Sequence, residues 1–338
     1  MQNVEDTFYD SGLFPSKRTW SFSNRPVEDN TIFFTASIIS TLRMIYPQLD
    51  DKSQLIADSI MRRAKPIYSK YRSRNGGVTY NFWQTVAPDL PFPNGNRLIS
   101  NEKLRLPDDF NTSSLIARSL DEKDSSIQKI RNQMVRYSAR KDRDNVKLYT
   151  LEEYKNLRAY EVWFGKDMPQ AFDLGVISNV LLFVFQNDFE LNEYDKASIQ
   201  LIKRMILNDD HLDRPADISF HSNSSALIIY HVARLISLDT YGFFNEIKEK
   251  LIKDLSELEV NVTNEMEQVM IQSSLYRLGK TPIQPINYKK LTVDLTNFSF
   301  FTVNPFNISK GESIFLPSVT WVCEAYNWTL LLELKSLE

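Results

Sequence analysis

The 338-residue sequence contains little of what several large protein classes require. It has one cysteine, Cys323, so it forms no intramolecular disulfide and no zinc site built from several thiolates. Its nine glycines include neither a phosphate-binding loop nor a dinucleotide-binding fingerprint. Its longest apolar stretch, residues 176–185, is too short to cross a bilayer. These absences argue against disulfide scaffolds, common nucleotide-binding folds and membrane-spanning helices.

An excess of charge of one sign is also missing. The chain carries 40 Lys and Arg against 43 Asp and Glu, for a net charge of −3, and it shows no basic footprint for nucleic acid. The acidic, polar amino-terminal residues lack the features of a signal peptide, and a single cysteine suits a reducing compartment. We therefore expect a cytoplasmic protein without a nucleic-acid partner, although a secreted chain whose signal had been removed would look the same.

What the sequence does contain is a recurring helical pattern. Six segments open with acidic or small polar residues and then become strongly apolar at helical spacing, starting near residues 29, 108, 173, 220, 263 and 317. Their openings carry good N-cap residues, namely Asp29 or Asn30, Asp108 or Asp109, Asp173, Ser222, Thr263 and Ser318. Four of them precede a more charged, one-sided segment, at residues 49–65, 121–138, 192–207 and 241–258. We interpret each such pair as a buried inner helix and a half-exposed outer helix.

This pattern predicts an all-α fold, an α/α toroid of about six helical hairpins. The intervals between the inner helices vary, so we do not expect a solenoid with a fixed repeat. The β-branched and aromatic residues of 291–303 predict a small β-hairpin with residues 312–316 near the carboxyl terminus. Residues 150–163 predict a short helix inside a long insertion. We place an N-terminal extension at residues 1–27 and a single domain at residues 28–338.

The stretch Leu106–Leu115, LPDDFNTSSL, carries a family resemblance. It resembles a degenerate form of the Asp-x-Asp-Asp-Thr-Ala motif of class II cyclases, in the terpenoid cyclase and protein prenyltransferase superfamily of α/α toroids. The resemblance implies a central cavity that binds or processes an apolar, isoprenoid-like small molecule. With Thr112 at the threonine of the motif, Phe110 replaces the aspartate that protonates the substrate in that family. This replacement argues against the conventional cyclisation.

The acids at the inner-helix starts form the candidate site. In a toroid the amino ends of the inner helices meet at one end, where their positive dipole ends converge around the mouth of the cavity. We expect proton handling there by Asp108, Asp109, Asp173 and His221, although each of the acids is also a suitable helix cap. The residues expected to bind the ligand are Asp29, Trp83, Asn111, Trp163, Asn179, Glu265 and Trp321.

Two other functions fit the same pattern. Carboxylates beside Trp83 and Trp163 suit a carbohydrate-active enzyme, either a glycoside hydrolase or a polysaccharide lyase, because sugars stack on aromatic side chains. A toroid whose centre is filled by side chains suits a non-catalytic interaction scaffold. The partner in the first two cases is a small molecule, apolar or sugar.

No resident cofactor is expected. The string DDHLD, Asp209–Asp213, matches the acidic string with which class I terpene synthases hold magnesium. It follows an outer helix and precedes Pro215, a position where solvated, helix-ending acids are common. A divalent cation near Asp209, Asp210 and Asp213 is therefore the alternative to a purely structural string.

Overall fold

A computed structural model describes residues 9–23, 25–74, 76–85, 106–120, 125–139, 148–165, 170–222, 224–303 and 318–338. This part of the chain is predominantly helical and contains a small antiparallel sheet. Among its helices, none combines the length and the apolar character that a bilayer span requires.

The helices and strands are as follows. The α-helices of the described residues are α1 (Phe33–Ile45), α2 (Asp51–Ala64), α3 (Phe110–Ser119), α4 (Ser125–Ser138), α5 (Leu174–Gln186), α6 (Glu193–Leu207), α7 (Asp210–Asp213), α8 (Pro215–Ile218), α9 (Ser225–Ile236), α10 (Asn245–Asn261), α11 (Glu265–Arg277), α12 (Tyr288–Asn297) and α13 (Glu324–Leu337). The strands are β1 (Ser16–Trp20), β2 (Pro26–Asp29), β3 (Leu148–Tyr149), β4 (Gln170–Ala171), β5 (Ser299–Val303) and β6 (Val319–Val322). Short 3-10 helices cover Tyr46–Gln48, Lys65–Tyr71 and Glu152–Tyr154.

Six of these helices, α1, α3, α5, α9, α11 and α13, carry most of the core, and we call them the main helices. In α5 every residue from Leu174 to Val184 is buried, because the helix is apolar on nearly all sides. Successive main helices pack against each other in chain order, and α13 packs against α1. These are the helices that the six apolar segments predict.

The outer helices pack as the sequence predicts. Among the described residues, α2, α4, α6 and α10 each contact the main helix that precedes them, which confirms the four predicted outer segments. A buried ion pair between Arg131 of α4 and Asp195 of α6, shared with the hydroxyl of Tyr160, joins two of these helices. Helix α12 contacts both α11 and α13 and is the outer helix for which the sequence offered no candidate.

The small sheet corrects the prediction for the carboxyl-terminal region. Its strand order is β2-β1-β6-β5, and all neighbours are antiparallel. The predicted strand at residues 291–303 was wrong in its first part, and its predicted partner, residues 312–316, is not tested. Residues 288–297 form α12, and β5 pairs with β6, whereas residues 312–316 lie outside the described part of the chain. Strand β6 also pairs with β1, so segments far apart in the sequence meet in one sheet.

The helix starts are partly as predicted. Asp109 caps α3 and Asp173 caps α5, each by accepting a hydrogen bond from the amide three residues later. The other four predicted caps were wrong: α1 and α13 have no side-chain cap, whereas Ser224 caps α9 and Asn264 caps α11. The helix predicted at residues 150–163 is also wrong, because only a 3-10 turn at Glu152–Tyr154 forms there.

Candidate functional site

Asp109 is a buried carboxyl with one oxygen that has no partner. Its Oδ1 accepts a hydrogen bond of 2.6 Å from the amide of Thr112, while Oδ2 is buried without a hydrogen bond among the described residues. Its backbone pairs with Trp163, and its amide donates to the carbonyl of Tyr80, so two loops hold it in place. Burial raises the pKa of Asp109 to about 7. Near neutral pH, such a carboxyl is protonated in a large fraction of the protein and can donate its proton.

Asp173 differs from Asp109 because both of its oxygens are occupied. Oδ1 accepts hydrogen bonds from the amide of Val176 at 3.0 Å and the hydroxyl of Ser219 at 3.1 Å. Oδ2 lies 3.0 Å from both the amide and the ring Nδ1 of His221. Burial alone would raise the pKa of Asp173, but the hydrogen bonds from the ring and amide of His221 and from the amide of Val176 outweigh it and lower this pKa. An ionised Asp173 holds the proton of His221 on Nδ1, which leaves Nε2 as the nitrogen that can accept a proton.

The imidazole of His221 lies between aromatic side chains. It stacks on Phe301 with ring centroids 5.0 Å apart and 16° between the planes, and Phe220 lies 4.2 Å away. The indole of Trp163 meets it edge to face at 6.5 Å. Its Nε2 has no hydrogen-bond partner among the described residues. Trp163 therefore touches both parts of the site, through its backbone to Asp109 and through its ring to His221.

Phe301, which lies in strand β5, is also part of an aromatic cluster. Phe301 packs on Phe33 with centroids 4.6 Å apart, on Phe82 at 5.4 Å and on Trp321 at 5.4 Å. Trp83 lies 4.6 Å from Phe82 and 6.3 Å from Trp321. Two predicted ligand-binding residues, Trp83 and Trp321, therefore reach the neighbourhood of His221 through Phe301.

The carboxylate of Asp29 accepts hydrogen bonds from the same two tryptophans. Its Oδ1 accepts from the indole of Trp83 at 2.8 Å and from the amide of Thr31 at 3.0 Å. Its Oδ2 accepts from the indole of Trp321 at 2.9 Å and from Arg18 at 2.8 Å. All four hydrogen bonds are internal, so Asp29 acts here as a structural anchor for the aromatic cluster.

Several buried polar atoms without hydrogen-bond partners among the described residues lie on the main helices α3, α5 and α9. Asn179 donates to Asn111 at 2.9 Å, which brings two predicted ligand-binding residues together, yet its own Oδ1 makes no hydrogen bond among the described residues. The same holds for Thr112 Oγ1, Ser178 Oγ and His231 Nδ1. A buried polar atom of this kind costs about 1–3 kcal/mol unless water or a ligand completes it.

Two predicted site residues, Asp108 and Glu265, make other contacts than those of Asp109, Asp173 and His221. Asp108 accepts a hydrogen bond of 2.6 Å from Thr79, and burial raises its pKa, but it lies one residue outside the cap position. Glu265 accepts from the amide of Asn287 at 3.0 Å, and its own amide donates to Asp294. None of the hydrogen bonds of Glu265 among the described residues reaches the other candidates, so the structure does not bring it to the site.

The acidic string at residues 209–213 is engaged by cations of the protein itself. Asp209 pairs with Lys250, and Asp210 pairs with Arg214. Within the described residues, no group of three or more His, Cys, Asp or Glu side chains is arranged to hold a metal ion. The pairing with lysine and arginine supports a structural role for Asp209 and Asp210, and the amide of Asp213 donates to the carbonyl of Asp209 within the same turn.

Two contributors to the site were missed from the sequence. Ser219, in the loop before α9, donates a hydrogen bond to Asp173, and Phe301 stacks on the imidazole of His221. The alternation of FSFFTV indicated a strand around Phe301, but it carried no information on which side chain the strand would meet.

Comparisons with known proteins add no relative. No family model, no curated protein and no solved structure matches the chain. The resemblance to the terpenoid cyclase superfamily therefore stays a prediction.

Proposed function

We propose that the main helices form an α/α toroid and that the protein is an enzyme that moves protons on a small molecule bound at their amino ends. Support for the toroid comes from the packing order, because the last main helix, α13, returns to the first. Support for the site comes from one arrangement: Trp163 contacts both a buried carboxyl with an unused oxygen, Asp109, through its backbone, and a histidine held by Asp173, His221, through its ring.

The two groups have complementary roles. Asp109 is the general acid, because its raised pKa keeps a proton available near neutral pH. His221 is the general base, since Asp173 holds its Nδ1 and leaves its Nε2 free to take a proton. Asp173 has no free oxygen for attack on a substrate, and a glycoside hydrolase needs a second free carboxylate. The arrangement therefore favours elimination or isomerisation over hydrolysis.

The substrate class follows from the surroundings of the site. The partnerless atoms of Asp109, Thr112 and Asn179 favour a ligand with several hydroxyl groups, because each such atom gains a hydrogen bond on binding. The edge of Trp163 beside His221 suits the apolar face of a sugar ring. Among the alternatives raised by the sequence, a polysaccharide lyase-type reaction on an acidic sugar fits this combination best.

An apolar, isoprenoid-like ligand is the second candidate. The observation that favours it is the cluster of Phe33, Phe82, Phe301 and Trp321, which lies directly against His221. These rings already pack on one another, so an apolar ligand would have to displace existing contacts.

A titration separates the two ligand classes. Galacturonate, methyl glucoside and farnesol are each added to the purified protein, and tryptophan fluorescence is followed. A saturable change with a sugar, absent with farnesol, supports the polar ligand, and the reverse result supports the apolar one. Absence of any response, together with no product from uronate polysaccharides, would contradict an enzyme and favour an interaction scaffold.

The catalytic roles have their own test. Elimination from a uronate polysaccharide creates a double bond that absorbs ultraviolet light. We expect Asp109→Asn and His221→Gln each to lower the rate about 100-fold or more, because each removes one proton-transfer group. The exposed Asp188→Asn, which makes the same chemical change on the surface, should leave the rate unchanged. The wild-type rate should also fall as the pH rises above about 7, where Asp109 loses its proton.

A further inference from the structure

A group of arginines at the carboxyl ends of the main helices has no part in this chemistry. Four main helices carry an arginine in their last turn, although the rest of each helix is largely buried; these residues are Arg43, Arg118, Arg234 and Arg277. Arginine is rarely buried unless an anion neutralises it. The pairing of each arginine therefore decides what this end of the molecule can bind.

Arg118 on α3 is buried with two of its three guanidinium nitrogens unused. Only 1% of the residue is exposed. Its Nε donates to Oε1 of Gln186 on α5 at 3.2 Å, which orients the planar group. Its Nη1 and Nη2 are buried and make no hydrogen bond among the described residues. These are the two nitrogens that bind a carboxylate or phosphate side by side.

Glu333, the acid whose charge acts on Arg118, is committed to other arginines. Glu333 of α13 accepts from Nη2 of Arg277 at 2.6 Å and lies 3.6 Å from Nε of Arg234. It also accepts a hydrogen bond from the hydroxyl of Tyr230. The single negative charge of Glu333 therefore already pairs with two positive charges, those of Arg234 and Arg277, and leaves none for Arg118.

The two Nη nitrogens of Arg234 each donate to one neutral oxygen, and its buried Nε makes no hydrogen bond among the described residues. Its Nη1 donates to Tyr230 at 3.2 Å and its Nη2 donates to Thr41 of α1 at 3.1 Å. Together with Gln186, Arg118, Arg277 and Glu333, this means that every main helix contributes a side chain to the same region.

The guanidinium of Arg118 contacts α5 through Gln186 and feels charges from two other main helices. Helix α3 packs mainly against α1, α4 and α5. The charges that act on Arg118 nevertheless belong to Arg234 on α9 and Glu333 on α13. Burial, followed by the charge of Arg234, lowers the pKa of Arg118 to about 9, so it is still a cation at neutral pH.

We propose that Arg118 and Arg234 form a buried binding site for an oxyanion, a carboxylate or phosphate group, at the carboxyl ends of the main helices. The anion lies against Nη1 and Nη2 of Arg118 and supplies the negative charge that Glu333 does not. The site is independent of the acid–base chemistry at the other end, because Arg118 follows Asp109 by nine residues, about 13 Å along the axis of α3.

A purely structural role does not explain these observations. An unpaired buried charge destabilises the folded state, and an apolar side chain of similar length would fill the same volume without this cost. Binding of an anion would neutralise the charge of Arg118 and remove this cost.

Thermal unfolding with and without anions tests the site. Sodium phosphate, sodium acetate and sodium chloride are added to the wild-type protein at matched ionic strength. We expect phosphate or acetate, but not chloride, to raise the Tm by about 3–6 °C at saturation, because the anion binds only the folded state. The anion that gives the larger shift identifies the group as a phosphate or a carboxylate.

Two variants of Arg118 and one control make the result specific. Arg118→Met should have a higher Tm than wild type without anion and should lose the anion-dependent shift. Arg118→Lys keeps the charge but not the planar fork, so it should show a reduced shift. Arg136→Met removes an exposed arginine from α4 and should respond like wild type. An equal response of wild type and Arg118→Met, no response of wild type, or a lower Tm of Arg118→Met without anion would each overturn the proposal.

Discussion

At the scale of single residues, the two oxygens of Asp109 have different environments. Oδ1 accepts the cap hydrogen bond of α3, which favours the ionised form, whereas the burial of the whole group favours the neutral form. Burial is the larger effect, and the pKa rises to about 7. The native state therefore holds a proton on Asp109 at pH values where the unfolded chain has released it.

This difference makes Asp109 a source of pH-dependent stability. The unfolded chain ionises at about pH 4 and the native state at about pH 7, so the residue destabilises the protein progressively as the pH rises between these values. Asp109→Asn keeps the cap oxygen and removes the titration. Relative to wild type, its free energy of unfolding should increase by about 3 kcal/mol between pH 4 and pH 8, as measured by urea unfolding.

The control for this experiment is Asp188→Asn. Asp188 is exposed and has a positive φ of 48°, a backbone conformation that asparagine tolerates well. Its difference from wild type should not change with pH over the same range. A parallel pH dependence of wild type and Asp109→Asn would show that Asp109 is already ionised in the native state.

At the scale of elements, the start of α5 depends on one carboxylate. Asp173 caps the helix through Val176 and also holds Ser219 and His221, so it fastens α5 to the loop that leads into α9. Asp50 caps α2 in the same way, through the amide of Ser53 at 2.7 Å, but it is exposed. The two caps therefore separate the local effect from the long-range one.

Alanine substitutions should make this separation measurable. Asp173→Ala removes the cap and leaves the buried donors of Ser219 and His221 without an acceptor, so we expect a loss of about 3 kcal/mol. Asp50→Ala should cost much less, because water replaces the lost hydrogen bond. The measurement is urea unfolding followed by circular dichroism, and equal losses would show that the contacts of Asp173 beyond its own helix contribute nothing.

At the scale of the whole molecule, the sheet connects distant parts of the chain. Strand β1 pairs with β6, and Asp29 accepts a hydrogen bond from Trp321 across almost the entire sequence. Asp29 also binds Trp83, so the first and last parts of the described chain and one insertion meet at a single carboxylate.

We expect this carboxylate to be one of the most sensitive positions for folding. Asp29→Ala removes the ion pair with Arg18 and the acceptor of the Trp83 and Trp321 indole N–H groups, and it should lower the free energy of unfolding by about 4 kcal/mol. The exposed neighbour provides the control, since Glu28→Ala should have a small effect. In a double-mutant cycle with Trp321→Phe, a coupling near zero would contradict a direct role of the hydrogen bond.

The helices and two of their caps could be predicted because their signals are local. The apolar spacing of a buried helix and the hydrogen bond from Asp109 to Thr112 each involve residues close in sequence. The start of α13 could not be predicted in this way. Val319–Val322 pair with β1 and β5, and these partners determine that the segment is a strand rather than the first turn of the helix.

The candidate site shows the same division. The sequence indicated Asp109, Asp173, His221 and Trp163 as separate residues, since acids, histidine and aromatics at helix starts suit proton transfer. Their roles differ because Ser219 and His221 occupy the oxygens of Asp173, whereas one oxygen of Asp109 has no partner among the described residues. No local pattern carries this difference.

Which segments of this chain are helical, and which of their faces are apolar, follows from local sequence alone, because these properties depend on neighbours within a few residues. Three other features depend on contacts between distant parts of the chain: Asp173 orients His221, Asp29 joins both tryptophans, and the charges of Arg234 and Glu333 act on Arg118. These pairings join residues far apart in the chain, and burial then sets their charges, so they exist only once the main helices have packed.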